Sequence, residues 1–365
     1  MNNFLFGAQP IGSTSIGSVT VEHDGLEEAM YESWCEYEDL RGKSEIALCN
    51  VYENYIMNTS QSTEQKTALF EGVLGDIWKN VKEFFKKIAA KIKSWFNSLV
   101  KWFQSHFQSD EEFLKKYKDE LTTKDTSKFA YSGYYWPAFK GGPSGASLEP
   151  LVNKVITAGK NSFQSIMKLG PDADVDAKVK EAKKEIDSEA IREAKGLKQG
   201  EDGGKGGLGK YKEAVKKNLR GKKFENKKGL PGLSVDEMIS VIENGEEYIG
   251  EIKDMADKIS DAADDYADKF DTYVKDAGGG ENASSEEKSK ARTKVTKATE
   301  VAKYSLSYGT ALADVSASLM KECMAECRSV LGAILRYNDK EDTKESFSGY
   351  NQSNTVGLME TFASF

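Results

Sequence analysis

The sequence predicts an all-α protein: long amphipathic helices in a bundle or hairpin arrangement, with a flexible Gly/Lys-rich insert. Three observations lead there. Apolar residues recur at threes and fours over most of the chain, the spacing of a helix face. Only 6 prolines stand against 32 glycines, the pattern of long helices separated by glycine-rich joints. Charged residues make up 30% and hydrophobic ones 39%, with mean hydropathy -0.58, so the apolar residues lie in stripes and not in one large core.

In chain order, residues 1–128 form an N-terminal unit built on a helix at 77–108. Its first helix is capped by Asp24 with Glu27 in the capping-box position, and carries Leu26, Met30, Trp34 and Tyr37 opposite an acidic face. A second runs from about Ser44 to Met57. The central helix starts near Ser62 or Thr63, with Gly72 and Gly75 expected to bend it, and Ser109 caps a separate short charged helix after it. Residues 129–170 give an aromatic, glycine-rich loop and a modest helix. Residues 171–232 read as a mobile Lys/Gly-rich insert, 233–337 as an antiparallel helical hairpin whose first helix is capped by Ser234 and Glu237, and 338–365 as a polar tail.

The central helix is the most specific feature. At about 100° per residue, Ile77, Val81, Phe84, Phe85, Ile88, Ile92, Trp95, Phe96, Leu99, Trp102 and Phe103 share one face, with His106 at its end. Lys79, Lys82, Lys86, Lys87, Lys91, Lys93 and Lys101 occupy the rest. Such a helix is ordinarily the core element of a bundle. The sharper reading places it in a membrane interface, with lysines meeting lipid phosphates and aromatics entering the acyl boundary. The acidic first helices could instead pack on its lysine side.

The net charge of -8 hides an asymmetry, because Glu22–Glu45 is acidic while Lys79–Lys101 and Lys210–Lys228 are basic. Any phosphate contact is therefore local. Candidate phosphate or lipid contacts are Lys79, Lys82, Lys86, Lys87, Lys93 and Lys101 on the helix, and Lys216, Lys217, Arg220, Lys222 and Lys223 in the insert. Weak DNA contact through the insert is one reading of that tract, and a solvated charge run is the other.

Other chemistry is thinly represented. Gly204–Lys210, GKGGLGK, satisfies a phosphate-loop spacing, but no apolar strand precedes it and Tyr211 takes the place of the Ser or Thr that would bind magnesium. Cys323 and Cys327 lie one helical turn apart, yet His23 and His106 are distant, so reduced thiols are expected and not zinc. The Asp and Glu residues fall at regular spacing on helix faces. No catalytic residues, cofactor, metal or small-molecule substrate are expected, and the protein is read as no enzyme. The N-terminus lacks a basic signal-peptide start, and no run reaches the length of a transmembrane helix.

A chain that opens MNNFLFGAQP and carries IWKNVKEFFKKIAAKIKSWFNSLVKWF in otherwise Glu/Lys-rich sequence resembles virion structural and internal head (core) proteins of large tailed bacteriophages. The resemblance covers about residues 1–120. It implies a protein assembled in the prohead as a core or scaffold component, located in the virion after synthesis in the host cytoplasm. Some phages of this kind trim head proteins after Leu or Ile, any residue, then Glu; Leu26-Glu27-Glu28 and Leu358-Met359-Glu360 fit that pattern loosely. The expected function is thus a non-enzymatic structural or internal virion protein that associates with itself or with capsid proteins through its helices. The alternative is a membrane-active protein that binds or perturbs a bilayer through helix 77–108.

Overall fold

The computed structural model describes residues 63–170, 173–191, 207–277 and 285–337, and these are mostly helical: 82% helix and 5% strand. In order they form α1 (Thr63–Thr123), β1 (Ala130–Tyr134), two short 3-10 turns (Pro137–Phe139 and Pro143–Ala146), α2 (Glu149–Met167), α3 (Val175–Ile191), α4 (Gly207–Arg220), β2 (Lys223–Lys228), α5 (Val235–Glu243), α6 (Gly245–Ala277) and α7 (Ser285–Arg336). The two expected N-terminal acidic helices, Cys35, Cys49, His23 and the polar tail lie outside the described residues.

The most buried element is α7, which packs against each of the other six helices. Its middle, from Leu306 to Met320, is buried almost all round, because Gly309, Ala311, Ala313, Ser316 and Ala317 let neighbours approach from every side. A Cβ on Gly309 would stand 3.1 Å from Ile156 and 3.2 Å from Ile259, so α2 and α6 close on α7 there. Lys212 neutralises Asp314, the acid in this stretch, at 2.6 Å.

The central helix is longer than expected. α1 continues through Gly72, Gly75 and Ser109 as one helix of 61 residues, about 90 Å at roughly 1.5 Å per residue. No second helix starts at Ser109, because Phe103, Asp110, Leu114 and Leu121 continue the buried face at spacings of seven, four and seven. Asp110 thereby becomes buried, and Arg328 of α7 answers it at 3.0 Å.

The C-terminal part differs in a similar way. The expected helix after Ser234 is divided at Asn244 into α5 and α6. The cap itself is as read: the Ser234 hydroxyl accepts the Glu237 N–H at 3.2 Å, and the Glu237 carboxylate accepts the Ser234 N–H at 2.8 Å.

The largest departure lies in residues 171–232, read as a mobile insert. Its described part carries α3, α4 and β2, and all three join the rest of the fold. Val179, Ala182, Ile186 and Ala190 give α3 a narrow apolar seam, and Asp187 on α3 accepts the hydroxyls of Tyr304 (2.6 Å) and Tyr308 (3.1 Å) on α7. Tyr211 and Val215 anchor α4. Strand β2 pairs antiparallel with β1, with Tyr134 opposite Lys223 and Ala130 opposite Lys228. This ribbon joins segments about ninety residues apart, so no local pattern announced it. In β2 Phe224 is the buried residue, and the alternation that identifies a strand is missing.

Candidate functional site

The residues predicted to interact divide into an inward and an outward set. On α1, Val81, Phe84, Phe85, Ile88, Ile92, Phe96, Leu99 and Phe103 are buried and Trp95 and Trp102 partly so; the Ile77 side chain lies outside the described set. The face is covered mainly by α6, where Tyr266 meets Phe85 with ring centroids 5.4 Å apart. A bilayer or a second copy therefore does not meet this face in the structure. The cover is acidic α6, and Lys93 reaches Asp264 of that helix at 3.4 Å. At the far end the Trp102 ring stacks with the His106 ring (4.0 Å) and has the Lys321 ammonium of α7 over it (4.3 Å). Lys79, Lys86, Lys87, Lys93 and Lys101 are exposed, and Lys82 is half-buried.

The basic tract of the insert is sorted by the tertiary structure. Lys212 pairs with buried Asp314; Lys216 (2.5 Å) and Arg220 (3.1 Å) both reach Glu322, so these three cations hold α4 to α7. The neighbouring Lys217, Lys222, Lys223, Lys227 and Lys228 are exposed. Helical spacing explains the division within α4, since residues 212, 216 and 220 follow one another at four and face α7.

Behind this contact lies a cluster that sequence reasoning missed. Glu326 of α7 accepts the Tyr134 N–H of β1 at 2.9 Å, and a Cβ on Gly133 would collide with its carboxylate. Burial raises its pKa to about 7, against the lowering effects of the Tyr134 N–H, the Trp136 indole and Arg220, while Glu322 adds to the rise. The indole N–H of Trp136 is buried and makes no hydrogen bond of normal geometry. Cys323 and Cys327 are free, buried thiols with sulfurs 4.0 Å apart; burial pushes the Cys323 thiol well up, which keeps it protonated and unreactive. The available signal for the cluster was Glu322 and Glu326 standing beside the two cysteines within an apolar stretch.

Tyr134, Glu213, Ala214, Lys217, Arg220, Gly221, Lys222 and Lys223 line an open groove of ≈ 630 Å³ between α4 and the ribbon. Its backbone is fixed by Tyr135 N–H to Lys222 O (3.2 Å) and Trp136 N–H to Arg220 O (2.9 Å). Gly221 turns the chain at φ +77, where a Cβ would stand 2.8 Å from Pro137. The Arg220 guanidinium covers the Tyr134 ring at 4.3 Å.

Among the described residues, no group of three or more His, Cys, Asp or Glu side chains is placed to hold a metal ion, and no helix is long and apolar enough to cross a membrane. Comparison of the chain with protein-family models, with curated proteins and with solved structures finds no match.

Proposed function

We propose that this chain is a non-enzymatic structural protein that works by packing, as a structural or internal head component of a tailed phage. In this reading its helices form a bundle, with α6 and α7 as an antiparallel hairpin. The observation that supports it most is the two-sidedness of α1. A 61-residue helix keeps its aromatic face in its own core and turns Lys79, Lys86, Lys93 and Lys101 outward, giving a long rod with a cationic edge. The neighbouring α6 exposes Asp254, Asp257, Asp261 and Asp268. Complementary edges of this kind favour side-by-side association of copies, or of this chain with capsid proteins. Assembly then falls to the charged edges, because the apolar stripes are occupied within the chain. The membrane-surface reading has less support, since a bilayer would need the face that α6 covers.

The experiment is an immunoblot of gradient-purified phage particles treated with nuclease and protease. Protection of the chain inside intact particles supports the proposal. Its absence from particles, with abundant protein in the lysate, refutes it.

A further inference from the structure

We infer that the groove between α4 and the β1–β2 ribbon binds the phosphodiester backbone of a nucleic acid. The inference concerns a different surface from the α1 edge and does not depend on the virion setting. It begins with how the basic tract is divided. Three cations of the tract, Lys212, Lys216 and Arg220, each have a carboxylate of α7 within 3.1 Å. Among the described residues no carboxylate is paired with Lys217, Lys222, Lys223 or Lys228. Three of these unpaired lysines, Lys217, Lys222 and Lys223, line the groove beside Arg220, whose charge Glu322 already answers, against Glu213 as its acid. Like charges gathered without counter-charges repel one another, and a polyanion relieves that repulsion by neutralising them and releasing its own counterions.

Shape selects the polymer over a single phosphate. The groove is open, and past it β2 exposes Lys227 and Lys228 with one acid, Glu225, before them. Lys223 and Lys228 stand opposite Tyr134 and Ala130, four residues apart on β1, about 13 Å at roughly 3.3 Å per residue and farther than one phosphate reaches. A chain with a phosphate at every nucleotide meets both. The base of the groove is preorganised by the two backbone hydrogen bonds to Tyr135 and Trp136 and by the Gly221 turn, so little is ordered on binding. Base stacking contributes little, because Arg220 covers the Tyr134 ring and the Lys227 ammonium sits 5.7 Å from the Tyr135 ring centre and 3.0 Å from its hydroxyl. Recognition is therefore of the backbone and independent of sequence.

The test is fluorescence anisotropy of a labelled oligonucleotide with the full-length chain over a series of salt concentrations. Wild type is expected to bind, with affinity falling steeply as salt rises. Lys217→Ala and Lys223→Ala should each lower the slope of log affinity against log salt by about 1, without change in melting temperature. Lys253→Ala, an exposed lysine of α6 outside the groove, should leave the slope as in wild type. Wild-type slopes in both groove variants would overturn the inference, as would failure of the folded wild type to bind at low salt. Competition by inorganic phosphate as effective as by unlabelled oligonucleotide would also overturn it, in favour of a small-anion site. So would anionic vesicles binding in its place. None of these outcomes bears on whether the chain is found in particles.

Discussion

Glu326 gives the sharpest test of the described packing. Its carboxylate lies under β1, accepts the Tyr134 N–H, and has a pKa raised from 4.5 to about 7, first by burial. The native state thus holds this proton more tightly than the unfolded chain does. Stability from the group is fully present below about pH 4.5 and is lost as pH rises through about 7. At about 1.36 kcal/mol per pKa unit, the rise corresponds to about 3 kcal/mol. Glu326→Gln keeps the acceptor for Tyr134 and removes the titration. Urea unfolding from pH 5 to pH 8 should therefore show wild type losing stability relative to the variant. The variant should be ahead by just under about 1 kcal/mol at pH 5 and by about 3 kcal/mol at pH 8. Asp110 and Glu251 also have pKa values raised by burial, but they are common to both proteins and cancel in the difference. Parallel curves across the range would refute the placement of this carboxylate beneath the ribbon.

Three other outcomes are expected. Phe85→Ala empties a fully buried position between α1 and α6 and should cost about 4 kcal/mol in chemical denaturation; a loss under 1 kcal/mol would mean that α6 does not cover α1 in solution. Gly133→Ala drives a methyl group into the Glu326 carboxylate and should cost about 2 kcal/mol, partly recovered in the double variant with Glu326→Ala; equal losses in the single and double variants would count against the contact. Arg328→Met leaves Asp110, 8% exposed, without its partner and should lower stability by about 2 kcal/mol at pH 7 and by less at pH 3, where the carboxyl is protonated. A thermal melt at the two pH values reads that difference.

Much of the helical content was legible from periodicity. The α1 face from Val81 to Phe103 and the capping box at Ser234 follow from spacing and from cap chemistry within one or two turns. Lengths were less legible. Ser109 reads as a cap, yet the apolar positions beyond it stay in phase with α1, and a continued buried face outweighs a capping signal of about 1 kcal/mol. The insert was misread for a related reason. Its apolar residues are few, which reads as a chain unable to bury itself, but they lie against α2, α7 and the β1 segment, which supply the missing half of the contact.

The sequence by itself determined most of the helices, the three charge blocks and the aromatic stripe, because these are properties of neighbours along the chain. Only the tertiary structure decided that α7 and not α1 is the hub, that acidic α6 covers the stripe, and that β1 pairs with β2. It alone divided the basic tract into lysines neutralised by α7 and lysines left facing a groove. The physical reason is that a lysine's role depends on whether a carboxylate lies within about 4 Å of it. Here the carboxylate lies about a hundred residues away along the chain.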